Sequence, residues 1–522
     1  MDGFLQQWQV NLSAIDGTIV TLAIAMLFVI GYFAGRKERS TDDFFLGNRR
    51  VPMFIAALSL VATEVSAVTI TQTPGTGFSE NLQYLQFYIG SAASKIFVAF
   101  LFIPVFYKHN CTSIYEFLRH RFGPPSQYAG SIFFFITRLL GSGARLYAAC
   151  LGVAMILDWN IVQSLMLFSA VSVVFIAFGG IKAVVWNGAY QAGMFYIAGA
   201  AVIVYLCTQI SGGFTEAWNI ASQGGRLSMF DFSVDLNKPT SFWAGTASAF
   251  FVGMAVFGTD QELVQRLLTV DSRRSSQKAI LTTIFAALPV LLMFMFIGTL
   301  MFVFFKQNPD SSLPTAAKGV FPYYIGAYLP AGLKGLLLAT IILASIDSPL
   351  ASLSSSFVMD IYRPLVKKNA SDRHYLWISR LGVVGFAVVL GLIAYAVSPA
   401  QNILWVAFQI LGVTGGSLLG IFLLGILTRR GTNRGNIIAM IVSSTVMAVF
   451  MFLTNYGPVG LERFFGLTDQ LVPSGEKPIV PLAWTWGIVI GTLLTFAIAW
   501  VVGRKGNGQC STLNDQRMAK SQ

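Results

Sequence analysis

The chain has 522 residues, of which 35 are Lys or Arg, 23 are Asp or Glu and 55% are hydrophobic. The charged fraction of 11% is less than half of the roughly 25% found in soluble proteins, and the mean hydropathy is +0.66. So few charges exclude soluble domains with charged shells, a disordered chain and a disulfide scaffold, and they indicate a polytopic membrane protein. The charge surplus of +12 then reflects the position of positive residues relative to the membrane rather than a nucleic-acid surface.

Apolar runs of the length of a membrane span recur along the whole chain. A hydrocarbon core of ~30 Å requires ~20 apolar residues in a helix. The sequence predicts thirteen such spans, with approximate limits 18–35, 52–73, 83–106, 128–157, 161–180, 186–209, 242–265, 279–305, 332–362, 377–397, 403–427, 436–455 and 482–503.

The distribution of positive charge predicts the orientation of these spans. With the N-terminus outside, 24 of the 35 Lys and Arg residues fall on cytoplasmic segments and 6 on outside segments. An excess of positive charge on cytoplasmic loops is the usual pattern, and loss of one span would reverse it in every later loop. We expect an outside N-terminus, a cytoplasmic C-terminus and a location in the cell membrane, either a plasma membrane or a bacterial inner membrane.

Motifs of enzymes and metal sites are absent from the sequence. The 4 cysteines form no Cys-x-x-Cys pair, and the 3 histidines lie in polar segments. No G-x-S-x-G, H-E-x-x-H or Walker A motif is present. We therefore expect no enzyme activity, no catalytic residues and no cofactor. The short tail after the last span leaves no room for an ATP-hydrolysing domain, so an ion gradient is expected to drive uphill transport.

Two of the apolar runs contain polar and glycine residues that are expected to break the helix. The first has Ala62-Thr63-Glu64-Val65-Ser66 and then Thr73-Pro74-Gly75-Thr76-Gly77, and the second has Gly253 and Gly258-Thr259-Asp260-Gln261. Unwound backbone inside a membrane is buried or lines a cavity, and its freed carbonyl oxygens can coordinate a cation. These runs are spans two and seven, the spacing expected of two five-span repeats of opposite topology.

Ionisable residues within spans are costly and commonly functional. Those predicted at membrane depth are Glu64, Lys95, Arg138, Arg145, Asp260 and Asp347. Arg138 lies near the cytoplasmic end of its span and is expected to snorkel to the interface. Asp260 and Glu262 are expected to cap a helix or to pair with Arg266. The other four lie deeper, where they are expected either to pair with one another or to contact a solute.

A run of serines in the ninth span suggests either an ion site or close helix packing. Hydroxyl and carbonyl oxygens are the ligands that hard cations such as sodium prefer, but small residues also line helix contacts in membranes. The run comprises Ser345, Ser348, Ser352, Ser354, Ser355 and Ser356.

Several short motifs occur in one order along about residues 18–460. They are Phe44-Phe45-Leu46-Gly47, Ala62-Thr63-Glu64-Val65-Ser66-Ala67, Pro74-Gly75-Thr76-Gly77, Thr112-Ser113-Ile114-Tyr115-Glu116-Phe117-Leu118, Gly179-Gly180-Ile181-Lys182-Ala183-Val184, Gly258-Thr259-Asp260-Gln261 with Gln265-Arg266, and Met359-Asp360-Ile361-Tyr362-Arg363-Pro364. In this order, on the matching spans, they resemble the sodium/solute symporter family.

The resemblance implies an all-α, LeuT-type core of two inverted five-helix repeats, with one helix before it and more after it. This divides the chain into five segments. They are an N-terminal segment with the first span (1–51), a first repeat of spans two to six (52–209), a second inverted repeat of spans seven to eleven (242–427), spans twelve and thirteen (428–503) and a cytoplasmic tail (504–522).

The resemblance also implies a sodium site between the broken second span and the ninth span. The family's carbonyl ligands fall on Ala62 and Val65, and the ninth-span positions fall on Ile341, Ala344 and Ser345. The family usually has two adjacent Ser or Thr residues there, so Ala344 leaves one hydroxyl missing.

The resemblance to some members of the family also implies a second ion site, but its set of residues is incomplete in this chain. Its Asp position is Gly188, whereas Asp347 occupies another of its positions, next to Ser348. We expect Asp347 to supply the missing anionic ligand or a protonatable group, which leaves proton coupling open beside sodium coupling.

The solute site that the resemblance implies involves spans two, three, four and seven. Arg145 lies about one turn from a carboxylate-binding Arg of the sialic acid transporters, and Lys95 adds positive charge. The sugar-transporting members have a characteristic pattern of polar residues. It is largely absent from the corresponding positions here, which are Thr69, Tyr88, Gly253 and positions 255 and 256. We therefore expect an anionic solute, although Arg145 and Lys95 could instead pair with Glu64 or Asp347. The residues expected to contact solute are Thr69, Phe87, Tyr88, Ser91, Arg145, Gly253 and Phe257.

The sequence therefore predicts sodium-driven symport of a small organic solute, best matched by a carboxylate, through alternating access. Its expected partners are membrane lipid, sodium and the solute, and it is expected to work as a monomer. A proton-coupled symporter, an ion-independent uniporter or channel of the same fold, and a sugar or other neutral-solute symporter remain alternatives. A receptor and a membrane enzyme are disfavoured.

Overall fold

The computed structural model of the protein describes residues 12–35, 40–157, 159–346, 349–397, 411–464 and 483–503. In these residues the regular structure consists of helices, as predicted. Apolar runs of this length form helices in a membrane because a helix satisfies its own backbone hydrogen bonds.

The helices of the first half run up to residue 209. They are α1 Ala14–Gly35, α2 Thr41–Leu46, α3 Met53–Glu64, α4 Ala67–Ser79, α5 Phe87–Phe97, α6 Ile103–Lys108, α7 Glu116–Arg121, α8 Pro124–Leu157 and α9 Ile161–Gln209. A wider π-helical turn, Val98–Phe102, joins α5 to α6.

The helices of the second half begin with a short helix outside the predicted spans. They are α10 Gly213–Gln223, α11 Phe242–Thr259, α12 Gln261–Leu267, α13 Arg273–Gln307, α14 Ala317–Tyr328, α15 Leu333–Ile346, α16 Leu350–Ser356, α17 Asp372–Val397, α18 Gly416–Leu427, α19 Asn433–Phe464 and α20 Trp486–Val502.

Within the described residues, 7 helical stretches are long and apolar enough to cross a membrane. Each of the thirteen predicted runs overlaps at least one described helix. The number of spans, the inverted repeats and the orientation of the termini stay predictions. The 7 stretches are Ala14–Gly35, Gln83–Lys108, Gly179–Gln209, Phe242–Thr259, Arg273–Gln307, Asp372–Ala396 and Asn433–Met451.

Both predicted helix breaks are present. The second span stops at Glu64, where Val65 has φ −91° and ψ 89°, and it resumes at Ala67. The seventh stops at Thr259, and Asp260 (φ −103°, ψ 121°) caps the next helix by accepting a hydrogen bond from the Glu262 N–H at 2.9 Å. Pro74, however, lies inside α4. The break in the second span is therefore confined to Val65 and Ser66.

Residues 181–185, which separate the predicted spans 161–180 and 186–209, are helical, which corrects the limits of spans five and six. Helical structure continues from Ile161 to Gln209, and Gly180 alone departs from it, with φ 49° and ψ −152°. Only glycine adopts such a backbone without strain, so the chain bends at one residue. Lys182, just beyond the bend, pairs with Asp43 of α2.

Glycines bring the broken second span close to its neighbour α13. A side chain at Gly77 would place its Cβ 2.3 Å from the Met295 carbonyl oxygen, and one at Gly298 would lie 2.1 Å from the Pro74 oxygen. Small residues allow this approach between membrane helices. Large apolar side chains elsewhere on the helices face outward, among them Leu22 on α1 and Phe285 on α13, which are 64% and 78% exposed. Such surfaces suit contact with lipid.

Candidate functional site

A cavity of about 70 Å³ lies where the break after α3 meets α8, α9, α12, α15, α16 and α17. A space of this size holds about two water molecules, or an ion and its nearest neighbours. A guanidinium, a carboxylate and several hydroxyl-bearing residues line its wall, namely Thr63, Ser66, Ser142, Arg145, Ser169, Ser172 and Glu262.

The two elements of the predicted sodium site meet at this cavity. Ala62, before the break, and Ala344, near the end of α15, both line it. The regular hydrogen-bond ladder of α3 ends where the Val65 N–H donates to the Val61 oxygen at 2.9 Å, so the carbonyls after Val61, in the last turn of the helix, lie beyond that ladder. Val65 and Ile341 are buried in the same cluster, at 4% and 1% exposure.

The polar residues of the ninth span divide into two groups. In the first group, Asp347, Ser348 and the side chain of Ser345 lie outside the described residues, so the predictions made for them stay predictions. The hydroxyls of Ser352 and Ser354 donate to the carbonyl oxygens of Pro349 (2.8 Å) and Ser379 (2.7 Å). This part of the run therefore has the packing role that small residues have in membrane helices.

Gly188, where the resemblance places an Asp of a second ion site, packs directly against α3. A Cβ at this position would lie 2.5 Å from the Ser59 Oγ and 3.0 Å from the Ser59 Cα. Arg266 donates from Nε to the same Ser59 hydroxyl at 3.2 Å. The space that a carboxylate would need at position 188 is thus filled by the neighbouring helix.

Glu64 and Lys95, predicted as charge partners, form an ion pair. The Lys95 ammonium lies 2.8 Å and 2.7 Å from the two carboxylate oxygens of Glu64. The ammonium also lies over the rings of Tyr88 and Phe257, 5.2 Å and 5.0 Å from their centroids. A buried ammonium in such surroundings is stabilised by the carboxylate and by the ring faces together.

The predicted solute residues do not all converge on the cavity. Arg145 lines it. Ser91 instead donates to Glu64 at 3.3 Å, and Tyr88 donates to the Ile284 oxygen at 2.7 Å. A Cβ at Gly253 would lie 2.0 Å from the Ser94 Oγ, so that position is a helix contact.

Three solute predictions remain, and one of them, Phe257, lies under the Lys95 ammonium. Thr69, in the first turn of α4, has its hydroxyl 3.4 Å from that of Ser66, which lines the cavity. Phe87 stacks on Tyr84 with centroids 5.5 Å apart, and its ring occupies the space in front of Gly245.

A network of buried charges adjoins the cavity through Glu262, and the sequence predicted only its contact with Arg266. Arg138 on α8 is 5% exposed, so the expectation that it snorkels is wrong. Its guanidinium pairs with Asp260 and lies 2.5 Å from Glu262. Arg266 reaches Glu262 at 3.7 Å, so the expected partner of Arg266 is confirmed for Glu262. The signal for this network in the sequence was its charge balance, since the two cations Arg138 and Arg266 match the two anions Asp260 and Glu262 at one depth.

Residues of the 112–115 segment, beside this network, bind the same helix break. The side chain of Gln261 accepts a hydrogen bond from the Ile114 N–H at 2.9 Å and donates to the Thr112 oxygen at 3.0 Å. Tyr115 donates from its hydroxyl to the Thr259 oxygen at 3.1 Å. The end of α11 and the start of α12 are thus held from two directions, by Arg138 of α8 and by the 112–115 segment.

Comparison with known proteins gives one consistent family. The model of the sodium:solute symporter family matches residues 44–443. The chain is 28% identical over 439 residues to the sodium/sialic acid symporter NanT of Aliivibrio fischeri, covering 82% of this chain and 86% of that protein. It is 29% identical over 416 residues to sodium-coupled monocarboxylate transporter 2 of Homo sapiens, covering 77% and 67%.

A solved structure shows the same fold. A Na⁺-coupled sialic acid symporter in its substrate-bound, outward-open state superposes with a TM-score of 0.81 at 23% identity, over 95% of this chain and 100% of that one. The family match extends from the segment before the second span into α19. The chain therefore belongs to the sodium:solute symporter family.

Proposed function

We propose that this sodium-coupled solute symporter carries a small anionic organic solute, such as a carboxylate, by alternating access. The observation that supports this most is that one cavity joins the break of the second span, the end of α15 and the guanidinium-bearing Arg145. A guanidinium presents paired donors that match a carboxylate. Sialic acid and monocarboxylates, named for two relatives, are both carboxylates.

In this proposal sodium binds between the broken second span and the ninth span. The carbonyl oxygens of Ala62, Val65 and Ile341 supply most of the ligands, and Ser345 supplies a hydroxyl. Such hard oxygen ligands suit sodium. Ala344 offers no hydroxyl of its own, so we propose that Asp347 or water completes the shell.

Alternating access requires a closure that can open on the cytoplasmic side. We propose that the charge network of Arg138, Asp260, Glu262 and Arg266 is that closure, because Glu262 belongs both to the network and to the cavity wall. The predicted repeats at 52–209 and 242–427, with the N-terminus outside, place Arg138 toward the cytoplasm. Coupling then arises because sodium and solute favour one state of the network over the other.

Uptake by the purified full-length protein in proteoliposomes tests this function. An inward sodium gradient and an inward proton gradient are imposed separately, and labelled propionate, glucose and glycerol are offered. We expect sodium-driven accumulation of propionate and little accumulation of the neutral solutes. Accumulation driven only by protons, accumulation of glucose instead of propionate, or equilibration without any gradient would each favour one of the alternatives.

A further inference from the structure

The 112–115 segment is fixed to the break of the seventh span by one side chain. Gln261, the first residue of α12, is 0% exposed. Its amide accepts a hydrogen bond from the Ile114 N–H at 2.9 Å and donates to the Thr112 oxygen at 3.0 Å. Because both partners are backbone groups, these bonds depend on the path of the segment and not on its side chains.

The same segment is fixed to the end of the ninth span. The Ser113 hydroxyl donates to one oxygen of the Asp360 carboxylate at 2.6 Å, and the Gln127 amide donates to the other at 2.8 Å. Asp360 lies in the π-helical stretch Phe357–Val366, which directly follows α16. Ser113 and Asp360 are both 0% exposed, so the bond between them is shielded from water.

These two attachments make the segment a clasp between two elements that enclose the cavity. Gln261 directly precedes Glu262, which lines the cavity. The first residue of α16, Leu350, lines it as well. The clasp, defined as residues 112–115 with Gln261 and Asp360, therefore holds the start of α12 to the ninth span.

We propose that this clasp positions the start of α12 and thereby keeps the cavity closed toward the side predicted to be cytoplasmic. The inference rests on the proposed function, since it takes opening past α12 as the step that releases solute. In that step, movement of α12 away from the ninth span breaks bonds at one end of the clasp. A buried hydrogen-bonding group that loses its partner is costly, so the clasp favours the closed state. A link that persisted in both states would stabilise the fold without affecting access to the cavity.

Access to the cavity from the cytoplasmic side measures this role. A cysteine is introduced in the cavity wall by Ser142→Cys, and its reaction with a membrane-impermeant maleimide is followed by mass spectrometry in the full-length protein. Ser113→Ala cuts the clasp at Asp360, and Gln261→Met cuts it at α12. We expect labelling to be about fivefold faster in at least one of the two, the factor that corresponds to one net hydrogen bond of about 1 kcal/mol. Native labelling rates in both variants overturn the inference.

Matched controls separate positioning from a general loss of stability. Ser354 is 0% exposed and donates its hydroxyl to a backbone oxygen outside the clasp. Gln86 is also 0% exposed and binds one backbone N–H and one backbone oxygen, as Gln261 does. S354A and Q86M should lower the melting temperature about as much as S113A and Q261M but should not accelerate labelling. Equal acceleration in the controls would show a general loosening and overturn the inference.

The variant D360N distinguishes the hydrogen bond of Asp360 from its charge. Asn keeps an oxygen that accepts from the Ser113 hydroxyl. The carbonyl oxygen of Gln127, which has no hydrogen-bond partner among the described residues, can accept from the Asn amide once the Gln127 amide has turned over. We therefore expect D360N to label at the native rate. Accelerated labelling in D360N would assign the role to the carboxylate charge and contradict the clasp.

The inference and the proposed function fail in different ways. R138Q/E262Q removes an ion pair of the charge network at the start of α12. If this variant, S113A and Q261M all label at the native rate, α12 is not part of the closure and both proposals about it fail. If R138Q/E262Q alone labels faster, the proposed closure stands and only the clasp is overturned. Sodium-driven uptake of propionate by the native protein tests the symport itself, independently of any labelling.

Discussion

Arg138 on α8 and Glu262 on α12 lie 2.5 Å apart, guanidinium nitrogen to carboxylate oxygen, with their side chains 6% and 5% exposed. The pair joins the helix of the predicted fourth span to the broken seventh span, and Glu262 also lines the cavity. A charge pair at this position links the contents of the cavity to the packing of the helices that enclose it. In the proposed transport cycle, we expect opening of the cavity past α12 to separate these two residues.

Removing this pair without changing the net charge is expected to open the cavity to the cytoplasm. In R138Q/E262Q, Asp260 keeps the hydrogen bond from the N–H of residue 262, and Arg266 keeps its bonds to the Ser59 hydroxyl and the carbonyl of residue 262, so the variant should fold. Arg138→Met alone leaves an excess of buried negative charge and should lower stability by about 3–5 kcal/mol. In the double variant, a cysteine introduced by Ser142→Cys in the cavity wall should react several-fold faster with a maleimide applied from the cytoplasmic side.

Labelling at position 142 is read by mass spectrometry, so the native cysteines do not interfere. The matched control is D231N/K238Q, which removes an ion pair whose lysine is 45% exposed. Surface pairs contribute little, so labelling should not change. An unchanged labelling rate in R138Q/E262Q would show that the network is not the cytoplasmic closure.

Ala344→Ser is expected to strengthen sodium binding. Ala344 lines the cavity together with Ala62, and the substitution adds a hydroxyl ligand at the position where the chain lacks one. A hydrogen-bond-sized gain of about 1 kcal/mol corresponds to a roughly fivefold lower half-activating sodium concentration. The measurement is sodium activation of uptake. Ala344→Val, which adds bulk without an oxygen, should raise that concentration, and a rise in A344S as well would contradict the proposed sodium site.

Arg145→Gln is expected to weaken solute binding rather than folding. Arg145 is an exposed residue that lines the cavity, whereas Arg138 is buried, so loss of Arg145 should lower the melting temperature less than loss of Arg138. Loss of charged hydrogen bonds costs about 1.5–3 kcal/mol, which raises the half-saturation concentration for propionate about tenfold or more. Arg145→Lys keeps the charge and should be milder. If R145Q instead fails to fold and R145K rescues folding alone, Arg145 is a structural ion-pair partner.

The loop before α14 is expected to loosen only at acid pH. The Asp310 carboxylate accepts hydrogen bonds from the hydroxyls of Tyr323 (2.5 Å) and Tyr328 (2.6 Å), and these bonds hold its pKa below the ordinary value of 3.8. A lowered pKa means that the stabilisation is complete above about pH 4 and is lost as the pH falls through the lowered pKa.

Hydrogen exchange of residues 317–328, corrected for the intrinsic pH dependence, measures this effect. The native protein should keep its protection from pH 7 down to about pH 4. Asp310→Asn should lose protection at pH 7 and show no further change on acidification. If D310N is as protected as the native protein at pH 7, these hydrogen bonds do not hold α14 in place.

Some features of the site could be predicted because the membrane constrains them strongly. Polar and glycine residues inside an apolar run locate the breaks at Val65 and Asp260, since unwound backbone has to be sheltered there. Glu64 and Lys95 were predicted at membrane depth, where an unpaired charge is costly, and they form an ion pair with each other.

Other features depend on how each helix is rotated about its axis, which depth alone does not determine. Arg138 is near the end of its span, but it faces α12, more than a hundred residues away in sequence, so it pairs instead of snorkelling. Ser91 and Arg145 were expected at one solute site, yet Ser91 faces Glu64 and Arg145 faces the cavity. Gly180 bends the chain at a single residue because glycine adopts the required backbone conformation without strain, so no loop is needed.

Simultaneous flux of sodium and solute tests the central claim most directly. Radioactive sodium entry into proteoliposomes is measured at a fixed sodium gradient, with and without propionate outside, for the native protein and for A344V. Coupled symport predicts that solute increases sodium entry by a fixed ratio to solute entry, and that A344V lowers both fluxes together. Solute entry without added sodium entry would contradict the account.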